Sequence, residues 1–241
     1  YLFAGTQHVS GLLPFANVSA FGSRGSNYFN IVDYRPLYRA AVMNLLAWVR
    51  DGTEPPANCY PMAVQQTAAT REAVAVKLDV IPGLMTPDPA VLPSIYPLDL
   101  GEHTDKLIGS FPAKPVGPAY PCRVSDVDDD GNETGGVRMP DMMVPVATHT
   151  GFNVRHPKSG GDGQILEYVG LTHPFARTEA ERQSNGDPRP SMEARYPTRE
   201  DYIAKVTTAA QDLARDRYIM DEDIELCVAI AAERYDGVMR S

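Results

Sequence analysis

His8 is the residue whose type and position point most directly to chemistry in this sequence. It follows the apolar run of residues 1–4, which is typical of a buried strand, and Gly5 allows a tight exit from that strand into a loop. A loop just past the end of a strand is where a triad of nucleophile, acid and base can receive its histidine. His8 is therefore a candidate general base. The alternative is a structural histidine hydrogen-bonded to the backbone.

The sequence contains no evident partner for such a base. A serine nucleophile of this kind normally stands in Gly-x-Ser-x-Gly, and that pattern does not occur. Ser23 and Ser159 have glycine neighbours but lack a preceding strand and a following helix, which favours ordinary loop positions. The zinc-protease motif, the phosphate-binding P-loop and the dinucleotide-binding glycine motif do not occur either, so the sequence predicts no cofactor.

The other histidines and the cysteines show no metal-ligand spacing. We expect the histidines to be polar loop or packing residues, and the odd number of widely spaced cysteines argues against a disulfide framework or a zinc ribbon. The residues concerned are His103, His149, His156 and His173, and Cys59, Cys122 and Cys227. The sequence therefore predicts no metal site among them.

An acidic run imitates the start of a calcium-binding loop. Asp126, Asp128 and Asp130 alternate before Gly131, as carboxylates do where they converge on one hard cation. The twelfth position of that pattern is Val137 rather than glutamate, which favours an acidic hairpin turn over a calcium site.

A basic group lies further along the chain. It comprises Arg177, Arg182, Arg189 and Arg195, with Asp187 among them. These residues could bind an anion, and ion pairs between a loop and the neighbouring helices explain them as well.

Composition limits the classes of partner. The chain has 241 residues, a formal net charge of −9 and a pI near 5.0. This acidic balance disfavours broad contact with nucleic acid or an anionic membrane, because both require excess lysine and arginine. No apolar run approaches the roughly 20 residues of a membrane span, and no signal peptide is apparent. We expect no nucleic-acid partner and no membrane span, and the compartment is left open.

Secondary structure can be predicted for several segments. The 21 prolines exclude an all-helical bundle and long uninterrupted strands. We expect a helix over 33–50, capped by Asp33 and ended by Gly52, and helices over 199–217 and 221–235 that form an antiparallel hairpin. Asp221 is the expected cap of the last helix, and Gly237 lies beyond its expected end. Thr178 and Thr198 mark two helix starts.

The expected strands are short. Residues 72–81 alternate well enough to be one strand, and 144–150 is another candidate. Residues 122–124 and 136–139 flank a run of turn-forming residues and predict the two arms of a hairpin.

Six stretches spread over most of the chain carry a family resemblance. They are FAGTQH (3–8), YRPLYRAAVMNLLAWV (34–49) followed by GTEPP (52–56), GGVRMPD (135–141), VPVATHTGFNVR (144–155), PFARTEAER (174–182) and GDPRPS (186–191). Together they resemble the bacterial alpha/beta hydrolase domain-containing proteins that have a long extension beyond the hydrolase sheet. The resemblance implies that residues 1–8 are the last strand of that sheet with the triad histidine, His8. The nucleophile and the acid would lie upstream.

The resemblance also sets the expected architecture. The fold class is α/β: the carboxyl-terminal part of an α/β-hydrolase fold, a Pro-rich mixed α+β extension and a terminal helical hairpin. Residues 1–56 would be the last strand, the histidine loop and the covering helix, 57–197 a Pro-rich cap or side lobe, and 198–241 the hairpin. A lone last strand needs neighbours, so side chains at Leu2, Phe3, Leu37, Leu45 and Trp48 should be unusually exposed unless an upstream part covers them.

The function that these expectations imply is hydrolysis of a small carboxylic ester by a serine hydrolase. The upstream part of the same protein is the implied partner, and the enzyme would need no cofactor. A non-catalytic binding or interaction module with a Pro-rich surface is the alternative from another class.

Overall fold

Helices and short strands alternate along the chain in the computed structural model, which describes residues 1–240. The helices are α1 (Arg35–Asp51), α2 (Arg71–Leu78), α3 (Pro140–Met143), α4 (Glu179–Asn185), α5 (Met192–Arg195), α6 (Arg199–Arg215) and α7 (Ile224–Arg240). The strands are β1 (Tyr28–Phe29), β2 (Ala68–Ala69), β3 (Leu98–Asp99), β4 (Lys114–Pro115), β5 (Val124–Ser125), β6 (Ala147–Thr150) and β7 (Leu171–Pro174). This mixture of helices and strands is consistent with the α/β class.

The first long helix confirms the prediction over 33–50. The predicted cap at Asp33 is wrong: α1 begins at Arg35, two residues later than expected, with Tyr34 at the cap position and no side-chain cap bond. The Asp33 carboxylate still accepts a hydrogen bond from the Arg35 amide at 3.0 Å. Gly52 ends the helix in a left-handed conformation, as predicted. The buried face is narrow and includes Leu37 and Ala40.

The strand predicted over 72–81 is wrong, because residues 71–78 form helix α2. The Thr70 hydroxyl accepts a hydrogen bond from the Ala73 amide at 3.2 Å and so caps the helix. Val74, Leu78 and Ile81 then fall on one buried face at helical spacing. The apparent alternation of the sequence arose because Val76 and Val80, on the opposite face, are apolar but exposed.

Three small antiparallel sheets form from the named strands of residues 1–240. The largest has the order β1-β7-β6, with His149 opposite Thr172 in the register of β6 and β7. The candidate strand over 144–150 is confirmed in its second half as β6.

The expected hairpin between 122–124 and 136–139 is wrong. β5 pairs with the distant β2, and Val137 instead forms a parallel bridge with Phe3. A shorter turn closes within the acidic run, where Val127 bridges Glu133.

The chain ends in the expected antiparallel helical hairpin. Thr198 caps α6 by accepting from the Asp201 amide at 3.0 Å, and Arg199 at its start reaches Asp236 near the end of α7 at 2.8 Å. Three details differ from the prediction. Helix α6 ends at Arg215 rather than at 217. Asp221 begins a 3-10 turn instead of capping the last helix, and Gly237 lies inside α7, which continues to Arg240.

Two large clusters of buried side chains hold these elements together. One joins α1, the segment 137–142 and the helical hairpin. The other joins Val146, just before β6, and Phe175, just after β7, to α5, α6 and α7. A third packs α2 against β7 and the acidic turn. The division into 1–56, 57–197 and 198–241 stays a prediction.

Several apolar side chains of the first segment face outward. Leu2, Leu45 and Trp48 are 40%, 55% and 51% exposed, so the expected exposure is confirmed for them. The expectation is wrong for Leu37, which is buried, and Phe3 is half-buried against the first cluster. Among residues 1–240, no helix has the length and apolar character needed to cross a bilayer.

Candidate functional site

The buried strand predicted over residues 1–4 is wrong, because Phe3 makes only an isolated parallel bridge to Val137 and Tyr1 and Leu2 are exposed. His8 stands on the loop that directly follows this extended segment. The Ala4 amide donates to the Val137 carbonyl at 3.0 Å and fixes that segment against its neighbour. Gly5 then adopts φ +58, a left-handed conformation, and a Cβ there would meet the side chain of Met142 and lie 3.2 Å from the His149 carbonyl oxygen. Glycine is therefore required where the chain turns toward His8.

Contacts on both sides anchor the His8 loop. The buried side-chain amide of Gln7 donates to the carbonyls of Asn30 and Val32, each at 3.3 Å. The Tyr34 hydroxyl donates to the His8 carbonyl at 3.0 Å, and the Val9 amide donates to the Tyr168 carbonyl at 2.8 Å. The backbone position of His8 is thus fixed by neighbours distant in sequence.

The His8 imidazole is exposed, and its ring nitrogens make no hydrogen bond within the described residues. Its ring packs beside the ring of Tyr168, with centroids 5.1 Å apart. Both nitrogens are therefore available to an incoming group, unlike those of a structural histidine tied to the backbone.

The serines singled out from the sequence make other contacts. The Ser159 hydroxyl donates to the His156 carbonyl at 2.7 Å, and the Ser23 amide donates to the Ser19 hydroxyl at 3.1 Å in an exposed turn. Neither serine contacts His8. Residues 1–240 therefore bring together His8 and its positioning contacts but no nucleophile and no acid.

Two other histidines are internal parts of the sheet. His149 is fully buried in β6, its Nδ1 is 3.0 Å from the Thr172 hydroxyl, and burial lowers its pKa to about 4. His173 in β7 is 3.0 Å through Nε2 from the Pro82 carbonyl, and burial, with the nearby Arg189 charge, lowers its pKa to about 4. Both are neutral at pH 7, in agreement with packing roles.

Each aspartate of the calcium-like run pairs with a cation. The pairs are Asp126 with Lys77 at 2.6 Å, Asp128 with Arg138 at 2.7 Å, and Asp130 with Arg195. Across residues 1–240, no group of three or more histidine, cysteine or acidic side chains is arranged to hold a metal ion. The run forms an acidic turn tied to its surroundings by ion pairs.

The four arginines of the basic group are also paired. Besides the Arg195 contact, the pairs are Arg177 with Glu181 at 3.2 Å, Arg182 with Glu179 at 2.7 Å and Arg189 with Asp187 at 2.7 Å. Ion pairing, the second interpretation drawn from the sequence, accounts for the whole group.

A comparison with protein families identifies the chain's relatives. A family model described as "Alpha/beta hydrolase domain" matches residues 1–229. The chain belongs to the alpha/beta hydrolase domain family. No curated protein and no solved structure shows a significant match. The resemblance to alpha/beta hydrolase domain proteins is therefore confirmed, and the family indicates a hydrolase with a small-molecule substrate. The bacterial origin and the long extension beyond the sheet stay predictions.

This alpha/beta hydrolase domain contains two cavities near the segment that carries His8. One, of about 590 Å³, borders the loop after His8 and is lined by Ser10, Asp33, Tyr34 and other residues. The other, of about 360 Å³, lies beside α2 and has mainly apolar walls. The Glu133 carboxylate lies in the wall of the second cavity and accepts a hydrogen bond from the Gly5 amide.

Sequence reasoning missed Glu133 and Tyr168. The sequence predicts only that Glu133 belongs to an acidic turn. In the structure, burial raises the pKa of Glu133 against the opposing effect of the Gly5 hydrogen bond. No local pattern marks either residue, because each meets the His8 segment across a long sequence separation. The glycines of the acidic turn, at 131, 135 and 136, are nearby signals of close packing.

Proposed function

We propose that this alpha/beta hydrolase domain is part of a serine hydrolase acting on carboxylic esters, with His8 as the general base. The nucleophile and the acid would come from an upstream part of the same protein. The observation that carries the proposal is the exposed, unengaged imidazole of His8 on a firmly anchored loop, in a chain of a hydrolase family. A base requires an accessible ring nitrogen in a fixed place.

The apolar surface beside this loop supports an upstream partner. In our proposal, residues 1–4 complete the sheet of the hydrolase fold as its last strand and α1 covers that sheet. Leu45, Trp48 and Val49 give α1 an exposed apolar face, and Leu2 is exposed on the extended segment. Covering them would remove apolar area from water at roughly 25 cal/mol per Å².

The proposed reaction uses side chains and water alone. The serine hydroxyl of the upstream part attacks the ester carbonyl while His8 takes the hydroxyl proton. The tetrahedral intermediate collapses, the protonated His8 gives that proton to the departing alcohol, and an acyl-enzyme remains. His8 then takes a proton from water as the water oxygen attacks the acyl carbon. The second tetrahedral intermediate collapses, the bond from the acyl carbon to the serine oxygen breaks, and the protonated His8 returns its proton to that oxygen as the carboxylic acid leaves. No cofactor is involved.

A binding role is the second candidate, and one surface favours it. The strands β3 and β4 carry a connection in which Leu107 and Phe111 are almost completely exposed and Ile108 is largely so. Exposed apolar side chains grouped in this way are typical of interaction sites. This feature agrees with the interaction module considered from the sequence, and it does not involve His8.

The test is the substitution His8→Ala in the full-length protein, assayed on a p-nitrophenyl ester. Loss of a triad base should lower kcat by roughly four to six orders of magnitude. The matched control is His103→Ala, because His103 is also exposed but belongs to the β3–β4 connection. That variant should retain full turnover, and both should unfold at the wild-type temperature.

Two outcomes would reject the assignment. Undiminished ester turnover in His8→Ala would exclude His8 as the base. The binding role would be favoured if the wild-type full-length protein shows no ester turnover and binds another protein that the Phe111→Ser variant does not bind.

A further inference from the structure

The cavity of about 360 Å³ beside α2 is built like a small-molecule site. Val74, Leu78, Val127, Phe152 and Ile165 supply apolar walls from α2, the acidic turn and the segment around 150–165. Ligand sites in proteins usually combine such walls with a few fixed polar groups, at volumes of roughly 300–1,000 Å³. Engineered cavities less than half this size take up benzene. The space is therefore sufficient for a bicyclic ring system.

The two charged side chains in the cavity wall, Arg71 and Glu133, differ in how much hydrogen-bonding capacity they have left for a ligand. Arg71 is already occupied, because its guanidinium donates to the Leu92 and Pro93 carbonyls and to the Ser94 hydroxyl at 3.1–3.2 Å. Glu133 accepts from the Gly5 amide and is partly buried, so it retains acceptor capacity toward the cavity. A carboxylate in an apolar wall disfavours anions and favours a ligand that donates a hydrogen bond.

We propose that this cavity binds a small apolar molecule with one hydrogen-bond donor, a hydroxyl or ring N–H group, which Glu133 accepts. The apolar body of the ligand lies against Val74, Leu78 and Phe152, and its donor points to the carboxylate. The site is distinct from His8, which does not line the cavity. It adjoins the His8 segment through the Gly5 amide at Glu133 and through the close approach of Gly151 to the Thr6 carbonyl.

Indole and 1-methylindole are suitable probes, because they have nearly the same shape and differ in the N–H donor. We expect indole to bind, as measured by calorimetry, and to shift the ¹⁵N–¹H signals of Gly5 and Gly151, whose residues adjoin the cavity. 1-Methylindole should bind about fivefold more weakly, the size of one net hydrogen bond of about 1 kcal/mol.

Two phenylalanine substitutions in α2 provide a matched pair. Ala75 lines the cavity, so Ala75→Phe should fill it and abolish indole binding. Ala73 lies on the exposed side of the same helix, and Ala73→Phe should bind indole as the wild type does. The two changes alter helix propensity equally.

Several results would overturn the proposal. They are no indole binding up to its solubility, equal affinity for 1-methylindole, or unchanged binding in Ala75→Phe. If Ala75→Phe does not fold, unshifted Gly5 and Gly151 signals in the wild type reject the site. None of these results bears on ester hydrolysis, which is measured separately through His8.

Discussion

Arg189 and Asp187 form a two-point ion pair inside the core, with Nε 3.0 Å from Oδ1 and Nη2 2.7 Å from Oδ2. Asp33 and Arg35, also two residues apart, make a similar pair at the surface, where Nε lies 2.8 Å from Oδ1. The Arg189 side chain is 1% exposed and that of Arg35 is 73% exposed. The fold thus contains one ion-pair geometry in two solvent environments.

We predict that Arg189→Ala lowers the free energy of unfolding by about 3–5 kcal/mol, because it leaves the Asp187 carboxylate buried and unpaired. The guanidinium also donates to the Thr148 hydroxyl and to the His173 and Pro174 carbonyls. Burial alone would raise the pKa of Asp187, and the Arg189 contacts reverse this and lower it. Urea denaturation at pH 7 measures the loss.

The control for this prediction is Arg35→Ala. The Arg35 guanidinium is exposed to water, and Asp33, although only 14% exposed, keeps the hydrogen bond from the residue-35 amide and the nearby Arg234 charge, so the substitution should cost less than about 1 kcal/mol. Equal losses in the two variants would contradict the view that burial, and not pair geometry, sets the cost.

A second prediction concerns pH. The pKa of His149 is about 4 in the folded protein, below its usual 6.5, because burial penalises the charged ring. Between these two values the unfolded chain binds more protons than the folded one, so stability rises with pH. The stabilisation that comes from keeping His149 neutral is fully present above about pH 6.5 and is lost as pH falls toward 4. From pH 7 to pH 5, His149 should account for about 2 kcal/mol of lost stability.

The measurement is a series of urea titrations from pH 7 to pH 5. His173, whose pKa is also lowered to about 4, should add a comparable loss. His149→Gln should therefore remove about half of this pH dependence, whereas His103→Gln, at an exposed position, should leave it unchanged. A wild-type stability that stays constant over this range would refute the prediction.

Local signals in the sequence were sufficient for the long helices. α1 and α6 follow from apolar spacing, from Pro36 in the first turn of α1, and from the stop at Gly52 and the cap at Thr198. These determinants act within a few residues of one another, so they can be read without knowledge of the fold.

Features that depend on long-range pairing could not be predicted. The pairing of β5 with β2 is set by packing of α2 against the acidic turn, and no turn motif encodes it. The same holds at the candidate site. The position of His8 after an apolar run could be predicted from the sequence. Its contacts with Tyr34 and Tyr168 and the link from Gly5 to Glu133 could not, because they join residues far apart in the sequence.

A third prediction tests the turn that presents His8. Gly5→Ala should lower the free energy of unfolding by about 2–4 kcal/mol, because a left-handed alanine is strained and its methyl group collides with Met142. Gly22→Ala is the matched control. Gly22 has φ +83 but open space around it, so that variant should lose only about 1 kcal/mol. Similar losses at the two glycines would show that close packing at Gly5 does not matter.

The last prediction tests helix α2, where the sequence pattern misled. If the Thr70 hydroxyl caps a helix, Thr70→Ser should keep the stability within a few tenths of a kcal/mol, because serine also caps. Thr70→Val retains the branched shape but loses the hydroxyl that accepts the Ala73 amide, and it should cost about 1 kcal/mol. If 72–81 were a strand, Thr70 would cap nothing and Thr70→Val would cost no more than Thr70→Ser. Thermal unfolding of the two variants therefore decides between helix and strand at the wall of the apolar cavity.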